Sequence, residues 1–346
     1  MATDIVRQHA ERAAFLWAQR DNLLASDPPD PKAIDSVGQR LAINLDGLRI
    51  ASASAWPFLL KQYEDFSEKG ELFALGWAAL ELMDHGRVGQ VVEFGRLAPD
   101  STPGLLGALA WHDAMTIAPF VREWIGSGDA FKRLLAVSAC QEHSVDPKHI
   151  LVRLVRDSDA KVRATSARLA GTLKRTDLAR ELFDRLVDRD EFVRLWAAWA
   201  LTELGSGDAA RDNLKKAVPT AGVNALVAMR AVVKAGPEKE VRAWMGRMMT
   251  APVTAPLAVR GIGMLGDRRV LNWLVDRMRE PQLAIAAGAA FLELFPEARE
   301  DGDLFTIDAT EAGKPFLACF VDGMAKVPLA DKVEAWGRAA GLLVTR

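Results

Sequence analysis

The sequence predicts an all-α solenoid, a superhelix of stacked helical hairpins of about thirty residues with atypical helical caps at both ends. Two segments show the repeat most plainly: residues 157–163 and 188–194 share the pattern D-x-D-x-x-V-R, 31 positions apart. Each is followed by an apolar helical stretch that ends in a turn, at Lys174 and at Gly205. A single unit of this kind cannot bury its own apolar face, so neighbouring units must stack into a continuous core.

Polar breaks after apolar stretches extend this register over most of the chain. They lie 29 to 31 positions apart, at Asp84, Asp113, Ser144, Lys174, Gly205, Gly236, Gly266 and Pro296. Two helices fit between consecutive breaks, and in four successive units one position of the second helix is small. Because helices that approach closely need small residues at their contact, we expect this position to lie between neighbouring units. It holds Ser166, Ala197, Ala228 and Ala258.

Both ends of the chain depart from the period. Residues 5–23 have helical spacing, the proline-rich residues 26–31 cannot continue that helix, and a second helix is predicted over 32–51. Residues 299–314 predict a loop with a short extended run, and residues 316–326 and 329–343 predict a last helical pair. The predicted organisation is an N-terminal helical cap (1–66), a repeat solenoid (67–298), and a C-terminal loop and helical cap (299–346).

The D-x-D-x-x-V-R unit resembles the HEAT repeat in its short form of about thirty residues. The resemblance covers roughly residues 72–297 and is strong in two repeats. In HEAT repeats the Asp and Arg of this motif form a ladder between adjacent repeats. The resemblance therefore implies a structural role for the matching residues, which are Asp159, Arg163, Asp190 and Arg194.

The N-terminal segment carries a second resemblance. Residues 8–20 and 44–51, together with Trp56, are similar to the N-terminal signature of an uncharacterised proteobacterial HEAT-repeat family. The genes of that family often lie in type VI secretion clusters. The similarity implies a genomic setting and brings no catalytic residue with it.

Composition and charge narrow the function classes. The net charge is −2 and the sequence pI is about 6.3, so the chain has no overall attraction for phosphate, and nucleic acid is not expected as a partner. Residues 148–194 carry twelve Lys or Arg against eight Asp or Glu, a modest local excess. The longest apolar-rich run, residues 72–83, is too short for a membrane span, and the N-terminus lacks a signal-peptide pattern. A cytoplasmic protein without membrane contact is expected.

No catalytic constellation is recognisable. The five histidines form no pair at metal-ligand spacing, and none is followed by Glu as in the deoxyhypusine hydroxylases, HEAT-like enzymes that bind iron through His-Glu pairs. Residues 261–266 match G-x-G-x-x-G by letter only, because no strand precedes them. We expect neither a metal, nor a cofactor, nor enzymatic activity.

One repeat position predicts a surface for a partner. Six residues before successive breaks the sequence has Arg168, Trp199, Arg230 and Arg260, and Trp196 lies one helical turn before Trp199. Arg and Trp often dominate interface energies, and arginines can bind carboxylates bidentately. The alternative is that the two tryptophans are partly buried under neighbouring repeats and the arginines are merely solvated.

These observations favour a protein-binding scaffold or adaptor, which by the second resemblance handles an effector or component of type VI secretion. One alternative is an immunity-type protein that neutralises a toxin encoded nearby. Another is a DNA-binding or base-glycosylase enzyme on a HEAT-like scaffold, which would bind DNA in a salt-sensitive way.

Overall fold

A computed structural model describes residues 3–320 and 326–343. The chain forms two compact units, Met1–Ala200 and Leu201–Arg346. This division does not test the predicted cap boundaries near residues 66 and 298, which stay predictions. The described part is α-helical almost throughout, which confirms the all-α solenoid class.

Helices α1 to α12 belong to the first unit, and α12 runs across its end. Their bounds are α1 Thr3–Ala25, α2 Pro31–Ala51, α3 Trp56–Asp65, α4 Lys69–Glu81, α5 His85–Leu97, α6 Thr102–Trp111, α7 Ala114–Trp124, α8 Ala130–Glu142, α9 Ile150–Leu154, α10 Ala160–Thr172, α11 Ala179–Arg185 and α12 Glu191–Glu203. From α5 onward two helices lie between consecutive predicted breaks. The second helices α6, α8 and α10 pack side by side in chain order, with α4 before them.

The second unit continues the same alternation. Its helices are α13 Asp208–Ala217, α14 Ala225–Ala235, α15 Glu238–Met248, α16 Ala255–Met264, α17 Leu271–Met278, α18 Pro281–Leu294, α19 Ala309–Ala312 and α20 Ala330–Ala339. The second helices α14, α16 and α18 again pack in order. Two short strands, β1 Phe305–Thr306 and β2 Val327–Pro328, pair antiparallel beside α18.

The predicted breaks coincide with left-handed turns at the ends of second helices. Ser144, Lys174, Gly205 and Gly266 have φ values of 52°, 54°, 69° and 74°. After α10 the Lys174 amide donates to Gly171 O and the Arg175 amide donates to Ala170 O, which satisfies carbonyls that the helix leaves free. Glycine adopts this conformation without strain, which explains Gly205 and Gly266. Gly236 differs, with an extended conformation at φ −92°.

The small repeat position lies in the core, as predicted. Ser166, Ala197, Ala228 and Ala258 are all fully or almost fully buried. Close approach is tightest beside it, where a Cβ placed on Gly171 would lie 2.7 Å from the Ala200 Cα. The helices α10 and α12 therefore touch backbone to backbone.

The N-terminal signature residues mostly build packing between helices. His9 Nδ1 on α1 donates to Asn44 Oδ1 on α2 at 3.1 Å, and Gly47 leaves room for the His9 ring. Trp17 stacks on Phe73 of α4 with ring centroids 4.9 Å apart. This part of the signature specifies how α1 sits on α2 and α4.

The C-terminal prediction is partly wrong. Residues 314–320 form a 3-10 helix, whereas the first helix of the last helical pair was predicted over 316–326. The chain is extended at β2, between the two predicted helices, where Phe305 pairs with Pro328 and Thr306 with Val327. Residues 321–325 of the predicted helix lie outside the described residues. The predicted extended run and the last helix are confirmed by β1 and α20.

An arginine–aspartate ladder joins neighbouring repeats of the first unit. Arg133 binds Asp157 through two hydrogen bonds of 2.7 Å, and Arg163 binds Asp188 through bonds of 3.0 and 2.9 Å. Arg96 also makes a bidentate contact with Asp129, but Asp129 stands at the position of the second Asp and accepts from the Phe131 amide as a helix cap. In the two D-x-D repeats the ladder uses the first Asp of the motif.

This geometry corrects the roles implied by the resemblance. Asp159 and Asp190 accept from the amides of Val162 and Val193, at 3.1 and 3.0 Å, and so cap α10 and α12. They are caps and not ladder residues. Arg194 donates to backbone carbonyl oxygens of residues 188 and 189, and none of the described carboxylates pairs with it.

The ladder predicts acid sensitivity. Burial raises the pKa of Asp157 and Asp188, but the hydrogen bonds and charges of Arg133 and Arg163, together with hydrogen bonds from backbone amides, outweigh it and hold both pKa values below the ordinary 3.8. Carboxylates with lowered pKa stabilise the fold above pH 3.8, and that contribution is lost as pH falls through the folded values. We therefore expect urea midpoints to fall steeply below about pH 4. An Asp157→Asn, Asp188→Asn double variant should be less stable at pH 7 and show a shallower fall; an equal fall would contradict this account.

Candidate partner-binding surface

Three residues of the predicted stripe meet in the first unit. The Arg168 guanidinium carbon lies 4.6 Å from the centroid of the Trp196 ring, a cation–π contact between α10 and α12. Trp196 and Trp199 meet edge to face, with centroids 5.5 Å apart and an interplanar angle of 77°. Trp196 is buried, whereas Arg168 and Trp199 are half-buried. We call Arg168, Trp196 and Trp199 the Arg168 cluster.

The backbone contact between α10 and α12 holds this cluster in place. A Cβ on Gly171 would lie 2.8 Å from Trp199 Cζ3, so the indole rests directly on the α10 backbone. Thr172, which follows Gly171 in α10, accepts a hydrogen bond from Gln141 Nε2 at 3.1 Å, and this bond ties α10 to α8. The tryptophan edges are therefore fixed by packing before any partner binds.

The Arg168 guanidinium is desolvated without being paired. Burial lowers the pKa of Arg168, and the charge of Glu142 offsets this only in part. None of the described oxygen atoms accepts a hydrogen bond from the guanidinium or lies within ion-pair distance of it. An arginine carries five N–H donors in a fork that matches a carboxylate. The cluster is thus suited to receive a carboxylate from outside the chain.

The other two predicted arginines have a different environment, in the second unit. Arg260 is only 3% exposed and donates from Nη2 to Glu293 Oε2 at 2.8 Å. Arg230 donates to the other oxygen of the same carboxylate. Burial raises the pKa of Glu293, but these two arginines outweigh it and hold the pKa below its ordinary value. The predicted stripe is therefore made of two separate groups, and in this one an internal glutamate already binds both arginines.

Glu293 was not predicted as a site residue. It lies three residues before the break at Pro296, a repeat position that is glycine at 171 and 263 but holds Glu81, Gln141, Thr202 and Val233 in other repeats. The repeat pattern therefore does not single out Glu293.

The repeat class is supported by comparison with known families. A HEAT-repeat family profile matches residues 147–233. The matched segment includes Arg168, Trp196 and Trp199, so the Arg168 cluster lies on HEAT-like repeats. Comparison with curated proteins and with solved structures gave no significant match.

Three further arginine–tryptophan stacks lie in the first unit, and in one of them Arg87, which also pairs with Asp84, lies 4.9 Å from the Trp56 ring centroid. Arg49 lies over Trp77 at 5.5 Å and Arg20 lies over Trp111 at 5.3 Å. Arg49 also binds Asp46 and Glu81, beside a cavity of about 140 Å³. Arg20, like Arg168, has no hydrogen-bond acceptor among the described residues. We call Arg20 and Trp111 the Arg20–Trp111 stack.

Two of the histidines make hydrogen bonds between neighbouring repeats. His112 Nε2 donates to Trp77 O at 3.1 Å, and His143 Nε2 donates to Leu109 O at 3.0 Å, an equivalent contact one repeat later. Burial lowers the pKa of His112. Within residues 3–320 and 326–343 no three His, Cys, Asp or Glu side chains form a group that could hold a metal ion. None of the described helices is long and apolar enough to cross a membrane.

Proposed function

We propose that this chain is a protein–protein interaction scaffold and that the Arg168 cluster binds an acidic side chain of its partner. HEAT repeats commonly mediate protein binding, and the profile match includes this cluster. The observation that carries the proposal is the half-buried Arg168 guanidinium, stacked on Trp196 and lacking an acceptor. Such an arrangement is unfavourable for stability alone, since the desolvation of a charge is not offset by an ion pair.

A partner would supply the missing acceptor. A carboxylate on Arg168 would form a charge-assisted bidentate pair, and Trp199 would cover the apolar part of the same side chain. Loss of one member of such a buried interface pair typically costs about 2 to 5 kcal/mol of binding free energy. We expect this single contact to dominate the affinity of the cluster.

The finer proposal is that the partner is an effector or assembly component of type VI secretion. It is supported by the similarity of residues 8–20 and 44–51 to the signature described above. The alternative is an immunity-type protein that binds a toxin encoded nearby. Deletion in the host separates the two proposals: loss of secretion supports the adaptor, and loss of self-protection supports the immunity role.

We propose no enzymatic activity. A base glycosylase remains the alternative from a different class, and its mark would be DNA binding that weakens steeply with salt. Electrophoretic mobility shifts at 50 and 200 mM salt, conditions about fourfold apart, would detect it.

The Arg168 proposal predicts that one substitution leaves stability nearly unchanged and weakens partner binding. Arg168→Met should change the free energy of unfolding by less than about 1 kcal/mol, since the lost cation–π contact is offset by relief of desolvation. The same variant should lose more than about tenfold in partner affinity. Affinity capture from the native host with mass spectrometry, followed by titration of the captured partner, measures the second effect.

Arg153→Met is the matched control. Arg153 is an exposed arginine of the same repeat, with neither a tryptophan stack nor a hydrogen-bond acceptor for its side chain among the described residues. It should capture the partner as the unaltered chain does. Equal capture by Arg168→Met and Arg153→Met would overturn the proposed function.

A further inference from the structure

The Arg20–Trp111 stack shares two features with the Arg168 cluster, a guanidinium stacked on a tryptophan and the lack of an acceptor for that guanidinium. Arg20 and Trp111 are both half-buried, and the guanidinium lies over the indole without an acceptor among the described residues. Arg20 comes from α1, which lies outside the repeat period, whereas Trp111 ends the second helix α6. An unpaired guanidinium over a tryptophan therefore occurs twice in the first unit.

Packing fixes the position of this stack. Phe73 meets Trp111 edge to face, with centroids 6.1 Å apart, and stacks on Trp17. A Cβ on Gly107 would lie 2.2 Å from the Trp17 ring, so α1 and α6 touch directly. Trp111 is thus held by contacts with a buried aromatic layer, and the Arg20 guanidinium lies over its ring.

The register gives the separation of the two sites. Trp111 lies on α6 and Arg168 on α10, with α8 between them, and these helices pack in order. Two interhelical steps of about 8 to 10 Å place the stacks roughly 16 to 20 Å apart. An extended chain advances about 3.3 Å per residue, so about six residues would join them.

The surface between the stacks selects the kind of ligand. Glu142, on α8, is exposed there and acts on the charge of Arg168. A nucleic-acid strand carries a phosphate about every 3.4 Å and would place negative charge against Glu142. A peptide can place carboxylates only at its two ends and a neutral stretch over Glu142.

We propose that the Arg20–Trp111 stack and the Arg168 cluster are the two ends of one binding track for an extended acidic segment of a partner protein. The segment carries two carboxylates about six residues apart, one on each guanidinium. This inference rests on the proposed function, because the Arg168 cluster forms one end of the track. Binding at two linked points raises the affinity well above that of either point alone.

The test uses random twelve-residue peptides displayed on phage and selected on the immobilised full chain. Selection should enrich Asp or Glu at two positions about six residues apart, with neutral residues between them. The best peptide, made synthetically, is then titrated by fluorescence polarisation. Arg20→Met and Arg168→Met should each weaken its binding at least about tenfold, and selection on either variant should keep only one acidic position.

Arg12→Met is the matched control, because Arg12 is an exposed arginine of the same helix α1, without a tryptophan stack. It should bind the peptide as the unaltered chain does. Arg20→Lys provides a second variant that keeps the charge and lacks the bidentate fork, and it should weaken binding less than Arg20→Met. Thermal unfolding of each variant verifies that the fold is retained.

The outcomes separate the two proposals. If Arg168→Met loses binding and Arg20→Met does not, the track is wrong and the proposed function stands. If neither loses binding, both are wrong. Selection that enriches no acidic pair overturns the track, and so does displacement of the peptide by a twelve-nucleotide single strand at equal concentration.

Discussion

Asp188→Ala is expected to lower the free energy of unfolding by about 3 to 5 kcal/mol. The Asp188 side chain is only 6% exposed and binds the Arg163 guanidinium, whose side chain is 14% exposed, through two hydrogen bonds. Asp188 also accepts from the Asp190 amide and from Arg185. Removal of the carboxylate leaves a buried guanidinium without its counter-charge, and that penalty exceeds the loss of an exposed ion pair.

Urea unfolding of the unaltered and variant chains at pH 7 measures this cost. Asp184→Ala, an exposed aspartate on the same repeat, is the control and should stay within about 0.5 kcal/mol. A double variant, Arg163→Met with Asp188→Leu, should recover part of the loss, because no charge remains buried. A loss below about 1 kcal/mol for Asp188→Ala would show that the ladder contributes little.

Gly104→Ala is expected to cost about 3 kcal/mol or more, the second large effect. A Cβ on Gly104 would lie 1.9 Å from the Lys69 carbonyl oxygen and 2.8 Å from the Phe73 amide nitrogen. Both atoms belong to the α4 backbone, so no side chain can rotate away. The helices α4 and α6 must separate, and the helix preference of Ala over Gly, about 1 kcal/mol, cannot compensate.

Gly89→Ala is the control for this substitution. Gly89 also lies inside a helix, α5, but a Cβ there meets nothing within 4 Å. It should stabilise the chain by up to about 1 kcal/mol, opposite in sign to Gly104→Ala. If both substitutions shift the urea midpoint in the same direction, the backbone contact between α4 and α6 is not a constraint on stability.

Local features of the repeat were predictable from the sequence. The breaks at Ser144, Lys174, Gly205 and Gly266 are left-handed turns because the end of a helix has its own sequence requirements. The small position filled by Ser166 and its counterparts is buried because close helix packing excludes larger side chains. Both features depend on a few neighbouring residues, and the period then repeats them.

Contacts between residues that are distant in the sequence were harder to predict. The D-x-D motif contains two aspartates that the sequence alone cannot tell apart. Only the geometry shows that Asp188 is the ladder residue and that Asp190 is the cap. The sequence predicted Arg260 as part of a surface stripe. Its partner Glu293 lies 33 residues later in the chain, beyond the reach of any local pattern. The described residues of the predicted helix 316–326 belong to a 3-10 helix over 314–320, and local helical spacing does not distinguish such a helix from an α-helix.

The candidate site was predicted in part. The register correctly grouped Arg168, Trp196 and Trp199, because they share a repeat position or lie one turn apart. Arg20 was not found, since α1 lies outside the period and its contact with Trp111 joins distant parts of the sequence. No periodic pattern can report such a pair.

The measurement that tests the central claim most directly is a crystal structure of the chain with the partner that it captures. We expect a carboxylate oxygen of the partner about 2.7 to 2.9 Å from the Arg168 guanidinium nitrogens, with Trp199 covered by the same side chain. A complex in which the partner binds elsewhere and Arg168 still has no acceptor would contradict the account.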